Sequence, residues 1–352
     1  MDNLTHTLVG VTLVRAGLGA RTPGATAAMV IASNIPDADI VAAFGGAVDY
    51  LAAHRGPTHG VLGVVLLALL SGAIVTAWRA ARRETRGEAL RHLVSLWGVA
   101  LAGTVLHVLM DLPTSYGVRI LSPFSDTWFA FDWVPIIDIY IWTMLLAGFV
   151  AARLKPASRQ RIARVVLATM AAFYVVRAVA HAQALEVAAT TRADGTMAPC
   201  ASAPVLTRHP SLIEAALAGP GDCLQAAALP GFLSPLQWRL IRRQADGYEL
   251  RDIRLGRAEP ISPRVFIPSE GGEWVARARA AETARVFLHF SRFPASRSAA
   301  MPDGTRRVQF VDVRFVGNPP HVLDEHPESR APFLVTVEVA PSGTVVAERL
   351  GP

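Results

Sequence analysis

The chain has 352 residues, of which 52% are hydrophobic, and its 34 Lys and Arg outnumber its 28 Asp and Glu. That length allows two domains, and the apolar excess lies in the first half of the chain. Many of the basic residues sit in two short loops between apolar runs, and no nucleic-acid motif is present, so no nucleic-acid partner is expected.

The N-terminal stretch "MDNLTHTLVG" has an acid at position 2 and no basic region, unlike a secretory signal peptide. Any targeting is therefore expected from internal helices. Two short apolar segments, about 4–19 and 24–36, read as short helices within a bundle or as a re-entrant pair. Four longer runs follow, at about 61–78, 93–110, 136–152 and 163–180. Each approaches the roughly 20 apolar residues that cross a bilayer. A buried soluble core is the alternative for all six, and the charges argue against it. Arg79, Arg82, Arg83, Arg86 and Arg91 share one loop; Arg153, Lys155, Arg159, Arg161 and Arg164 share another; Arg15 and Arg21 flank the first turn. Lys and Arg concentrate on the cytoplasmic side of membrane proteins. An alternating chain with residue 1 outside puts all three clusters inside. Asp2, Asp37, Asp39, Asp49, Asp111, Asp126, Asp132 and Asp138 then fall outside, and only Glu84 and Glu88 remain in the inner loops. Trp128, Phe129, Phe131 and Trp133 in "DTWFAFDW" suit an outer interfacial belt. The expected location is a bacterial inner membrane, crossed several times, with the tail periplasmic or extracellular.

The second half reads differently. Residues 182–230 form a linker with a short helix near "SLIEAALAG". Beyond it "LQWRLIRR", "YELRDIRL", "RVFLHF", "RVQFVDVRFV", "FLVTVEV" and "TVVAERL" alternate as half-buried strands, and "EWVARARAAETARVFLHFS" opens as a helix. The expected fold is thus an α-helical membrane bundle over 1–181, with four clear membrane helices plus two shorter ones, and a small β-rich extracytoplasmic domain over 231–352. His289, His321 and His326 have no metal-like spacing and read as surface or packing residues. Cys200 and Cys223 both fall outside, where a disulfide persists; a bridge and two unpaired small apolar residues both remain open.

The chemistry gathers at the outer face. His6, His54, His59 and His107 lie there with the aspartates, whereas His92 lies inside beside Arg91. Imidazole and carboxylate together suit zinc or a related transition metal. "HVLMD" stacks His107 and Asp111 at i and i+4 on one helix face, and "MDNLTH" does the same for Asp2 and His6. "NIPDAD" puts Asp37 and Asp39 on one side of an extended segment after a helix-ending Pro. In "HRGPTH" the Gly-Pro turn folds His54 and His59 toward one point. Single members have plain readings: Asp2 as an N-cap, Asp39 as a turn cap, Asp49 as a solvated loop acid. Ionisable groups beside membrane helices are costly, however, and mark function by default.

These stretches, with "HVLMDLPTSYGVRILSPFSDTWFAFDW" and the later "LPGFLSPLQWRLIRRQADGYEL", resemble the YdjM-type family of membrane-bound, metal-dependent hydrolases. One departure is Gly60, where the family usually has Ser after the second histidine. The family is distantly similar to zinc-dependent phospholipase C and single-strand nucleases, helical enzymes with multi-zinc sites. The resemblance implies a hydrolase, with phosphodiesters in lipids or envelope metabolites as the expected substrates. It also implies a divalent cofactor, one to three zinc ions. The expected ligands are His6, Asp37, His54, His59, His107 and Asp111. Asp39 is a further ligand, the general base or an acceptor that orients a ligating histidine, and Arg55 meets an anionic transition state or anchors to lipid headgroups. Asp132 and Asp138 support ligands or cap helices. Two other readings stand beside it. One is a non-catalytic metal-binding or transport protein, which a row of polar residues through the bundle favours. The other is an anchor presenting the β domain to a partner.

Overall fold

The computed structural model describes residues 1–82, 86–191, 200, 223–257, 260–316 and 333–351. Arg83, Glu84, the helix expected near 211–219, His321 and His326 lie outside the described residues. The chain divides into two compact units: Met1–Ile40, His54–Val179 and Phe232–Pro235 in the first, and Val41–Ala53, Ala180–Gly231 and Leu236–Pro352 in the second.

The first unit is helical. Helix α1 (Asn3–Arg15) starts where the Asp2 side chain accepts from the Thr5 N–H at 2.9 Å, the capping role that residue type favours. Helix α2 (Ala25–Ala32) cannot continue through Pro36, which lacks the N–H for the helical ladder, and the chain tightens into a 3-10 run over Ile35–Gly45. A short helix α3 (Ala47–Ala53), which belongs to the second unit, follows, and then α4 (Val61–Ala81), α5 (Arg86–Arg91), α6 (Leu93–Asp111), α7 (Ile139–Leu154) and α8 (Arg159–Thr190), the last of which passes into the second unit at Ala180. Four segments are long and apolar enough to cross a bilayer: Ala25–Gly45, Val61–Ala81, Leu93–Asp111 and Pro156–Thr190. Three of them contain runs predicted as spans. The predicted span at 136–152 is instead a 16-residue helix, begun by the Asp138 cap and ended at Lys155-Pro156. The segment at 25–45, predicted as a short apolar helix over 24–36, is the fourth by virtue of its 3-10 extension.

Small residues bring these helices together. Ala32, Ala68 and Ala100 are fully buried in one cluster. A Cβ at Gly103 would lie 2.8 Å from Ala32 Cβ, and one at Gly72 would lie 3.1 Å from the Trp97 backbone nitrogen. Lipid gives no hydrophobic drive for helix association, so such close approach supplies the contact energy. The Thr104 hydroxyl adds a bond across the α4–α6 seam to the Val64 carbonyl at 3.1 Å.

The second unit holds two four-stranded antiparallel meanders. The first is β1 (Gln225–Pro230), β2 (Gln237–Arg243), β3 (Gly247–Arg254) and β4 (Val265–Pro268). The second is β5 (Pro294–Ala300), β6 (Arg306–Asp312), β7 (Leu334–Val339) and β8 (Val345–Leu350). Ala227, Leu229, Ile241, Tyr248 and Leu250 of the first pack with Phe293, Ala295, Val311 and Leu334 at the second. The other face of the first sheet, Ala226, Ala228, Trp238 and Leu240, packs on Ala180, Ala184 and Ala188 of α8. Strand β1 is buried on both faces, so "QAAALP" carries no alternation and was not expected as a strand. The expected strand "RVFLHF" is a helix, Glu282–Phe290, because Thr283, Ala284, Phe287 and Phe290 are its buried positions, a 3.6-residue spacing rather than a two-residue one. Cys200 and Cys223 form a disulfide with their Cα atoms 4.6 Å apart.

Beside these sheets Arg314 is held by Asp312, with its Nη2 2.8 Å from Oδ2 and its own backbone N–H donating to Oδ1 at 2.9 Å. Burial disfavours the Asp312 charge, but the Arg314 guanidinium more than offsets it and keeps the carboxyl below its ordinary range. Because that value is depressed, the pair's contribution is present above the unfolded carboxylate value of about 4 and is lost as pH falls through the folded one. Asp312→Ala removes the carboxylate that faces the buried Arg314 guanidinium and is expected to destabilise by about 3 kcal/mol, read from denaturant unfolding of the full chain in detergent at neutral pH.

Candidate metal centre

Four elements converge at one end of the helical unit. The 3-10 run carries Asp37 and Asp39, the loop 54–60 carries His54, Arg55 and His59, the last turn of α6 carries His107 and Asp111, and α1 carries His6. Asp111 lies 18 residues beyond Leu93, about 27 Å along the helix, nearly the thickness of a bilayer core. His92 stands at the opposite end of α6, at its N-cap.

Asp37, His59, His107 and Asp111 each offer one ligand atom, and the four atoms lie within 4.8 Å of one another. His107 Nε2 is 3.2 Å from His59 Nε2 and 3.3 Å from Asp111 Oδ2. Asp37 Oδ1 is 3.4 Å from His59 Nε2 and 3.5 Å from His107 Nε2. Three of the residues are fully buried, and Asp37 has 17% of its side chain exposed, so the group opens on the Asp37 side.

Outer contacts set the tautomer of His107 and suit the same tautomer at His59. His107 Nδ1 donates to the Ser33 carbonyl at 2.8 Å, and His59 Nδ1 lies 3.0 Å from the Thr58 hydroxyl and 3.7 Å from Asp39 Oδ2. With Nδ1 protonated on both rings, both Nε2 atoms present lone pairs to the centre, as they do in metal sites whose histidines are oriented by carbonyl or carboxylate acceptors. Two imidazole lone pairs and two carboxylate oxygens then face one another at about van der Waals distance or less. Asp111 Oδ2 is buried and receives no hydrogen bond. A divalent ion satisfies that donor set.

The remaining expected ligands sit around this core. His6 stacks on His107 with ring centroids 3.9 Å apart, and its Nε2 is 3.5 Å from Asp111 Oδ1. Both His6 ring nitrogens are buried without a hydrogen-bond partner, a costly state unless something binds one of them. His54 is not in the group of four; its Nδ1 lies 3.1 Å from Asp39 Oδ1. Asp39 also accepts from the Arg55 backbone N–H at 2.8 Å.

Arg55 faces inward. Its Nη2 is 3.1 Å from Asp111 Oδ1, its Nη1 donates to the Gly117 carbonyl at 3.2 Å, and it packs over the Tyr116 ring. The Met1 nitrogen also bonds Asp111 Oδ1. Asp111 is thus pinned on Oδ1 while Oδ2 turns to the centre. Arg55 has φ +53°, in the left-handed region that non-glycine residues rarely adopt. Asp138 caps α7 through the Tyr140 and Ile141 N–H groups, Asp132 is buried at φ +58°, and Asp49 is exposed on α3. At Gly60 a Cβ would lie 2.0 Å from the Ser122 carbonyl oxygen, so no serine fits here without moving that loop.

Sequence reasoning did not single out Thr58, Ser33 or Tyr116. Thr58 lies within the "HRGPTH" motif and was open to discovery as an imidazole partner. Ser33 acts through its carbonyl, which no side-chain pattern reports.

The family described as the YdjM inner membrane protein matches residues 1–184, the stretch that contains every group of this centre. The chain belongs to the YdjM family. It is a membrane protein with four apolar helices long enough to span a bilayer. It is also similar to the uncharacterized protein YfhP of Bacillus subtilis (strain 168), 29% identical over 158 residues, which is 42% of this chain and 45% of that protein. The match therefore spans under half the length of that relative. No solved structure matches.

Proposed function

We propose that this YdjM-family chain is a membrane-bound, metal-dependent hydrolase acting on phosphodiesters of lipids or envelope metabolites. The observation that carries the reading is the inward-facing set of Asp37, His59, His107 and Asp111, whose four ligand atoms lie within 4.8 Å of one another. Zinc suits two imidazoles and two carboxylates. Asp37, His59, His107 and Asp111 would hold a divalent ion, which would supply an activated water at neutral pH. His59 and His107 would bind it through Nε2, with Thr58 and Ser33 against their Nδ1 atoms. Arg55 holds Asp111 in register, a positioning role rather than a contact with the substrate. Asp39 orients His54, and that pair would take the proton released by the attacking water and return it to the leaving oxygen. His6, with both nitrogens unpartnered beside Asp111, completes the donor set for a further ion. The position at the helix ends suits a substrate presented at the bilayer surface.

A transport reading has less support. The buried mid-helix hydroxyls of Ser71 and Thr76 each donate to a carbonyl of their own helix, and Thr104 donates to Val64, so they serve helix packing. The positive loops favour the orientation with the centre and the C-terminal domain outside the cytoplasm. Reporter fusions after residues 155 and 351 are expected to be cytoplasmic and periplasmic respectively; the reverse pattern refutes that orientation.

The test is hydrolysis. Purified protein reconstituted with zinc or manganese is assayed against bis-aryl phosphodiesters and phospholipids, beside His107→Ala. Metal-dependent turnover that the variant loses supports the reading. Stoichiometric metal with no turnover on either substrate class favours a binding protein.

A further inference from the structure

In the turn between β1 and β2, Phe232–Pro235 ("FLSP") belongs by its contacts to the helical unit. Two bonds from membrane helices hold it. The Tyr140 hydroxyl, in the first turn of α7, donates to the Leu233 carbonyl at 3.2 Å, and the Arg177 guanidinium of α8 donates to the Pro235 carbonyl and to the Trp133 carbonyl. Arg177 is 13 residues beyond Arg164, the last arginine of the basic loop, so it stands about 20 Å along the apolar run. A bilayer core is about 30 Å thick, so Arg177 lies in its far half, and Tyr140, one residue into α7, ties the turn toward the far membrane boundary.

At that level the side chains point the wrong way for a water-soluble turn. Phe232 is 51% exposed and Leu233 70%, and Ile136 and Ile137 beside α7 are 37% and 38% exposed. Meanwhile two of the turn's carbonyls are satisfied from within the protein, and Pro235 has no N–H to satisfy. Apolar side chains outward with backbone acceptors bonded inward suits irregular chain at the boundary of a bilayer, since bare irregular backbone is excluded from the hydrocarbon core. Tyr140 itself is a residue type favoured at the headgroup level.

We propose that the Phe232–Pro235 turn is a membrane-dipping tip, with Phe232 and Leu233 seated in the headgroup–acyl boundary of the bilayer that holds the helices. The occupant of this surface is phospholipid, because the patch is continuous with the lipid-facing surface of α7 and α8. This proposal is independent of the hydrolase reading.

The experiment uses the full chain in nanodiscs of phosphatidylethanolamine and phosphatidylglycerol. The native cysteines are bridged, so a thiol-reactive NBD dye labels only Leu233→Cys or, separately, Phe232→Cys. Leu70→Cys, lipid-facing within α4, is the membrane reference, and the dye–cysteine adduct in buffer is the aqueous one. The label at 233 and 232 is expected to emit blue-shifted and to be quenched by doxyl-labelled phospholipid nearly as strongly as at 70, several-fold more than the adduct. Emission and quenching like the aqueous adduct overturn the proposal. So does a blue-shifted label that doxyl lipid does not quench, which puts protein rather than lipid on the tip. Neither readout involves metal or turnover, so its failure leaves the proposed activity untouched.

Discussion

Asp111→Ala is expected to be the most damaging single change in the chain. Its carboxylate serves two partners at once: Oδ2 faces His59 and His107, and Oδ1 lies 3.1 Å from the Arg55 guanidinium and accepts from the Met1 nitrogen. All of these groups are buried. Removing the carboxylate takes a ligand atom from the centre and leaves the guanidinium without its anion. Removing an outer support of a metal site costs about 10–100-fold in affinity, and loss of a ligand is expected to exceed that. The unpaired buried cation adds about 3–5 kcal/mol of destabilisation. Two measurements separate the effects: metal affinity by competition with a chromophoric chelator, and the denaturation midpoint in detergent with chelator present. A midpoint unchanged from wild type under chelation means that Asp111 and Arg55 are not coupled as described.

Arg55→Ala is expected to behave differently. It removes the group that holds Oδ1 but no ligand atom, so metal still binds to full stoichiometry at high concentration, with affinity weakened about 10–100-fold. Arg55→Gly sharpens the test. Position 55 has a left-handed backbone, which costs a non-glycine residue about 1–3 kcal/mol when it is held there. The glycine variant is therefore expected to be more stable than the alanine variant while showing the same weakened affinity. Equal affinity in wild type and both variants would remove Arg55 from the site's support.

The sequence was informative where physics acts locally. Runs of apolar residues bounded by arginine loops reported three of the membrane-length helices directly. Asp2 and Asp138 were legible as caps because capping needs only a short acceptor at a helix start. His107 and Asp111 were legible because i,i+4 spacing on a helix fixes a shared face. Other features depended on distant chain. That His59 rather than His54 joins Asp37 follows from the turn at Gly56-Pro57 and from Asp39, which takes His54 by its Nδ1. The inward turn of Arg55 follows from Asp111, 56 positions later. Strand β1 hid because burial on both faces erases alternation, and the helix Glu282–Phe290 passed for a strand because "RVFLHF" is rich in strand-favouring residues. Its packing is set by Phe287 and Phe290, three residues apart.

Asp37, His59, His107 and Asp111 are proposed to form one metal centre. Elemental analysis of the protein purified from membranes without chelator tests it most directly, on wild type, His59→Ala and His107→Ala, each confirmed monodisperse in detergent. The account predicts stoichiometric zinc or manganese in wild type and metal reduced to trace in both variants. Equal metal in the three proteins, or none in wild type after reconstitution with either ion, contradicts it.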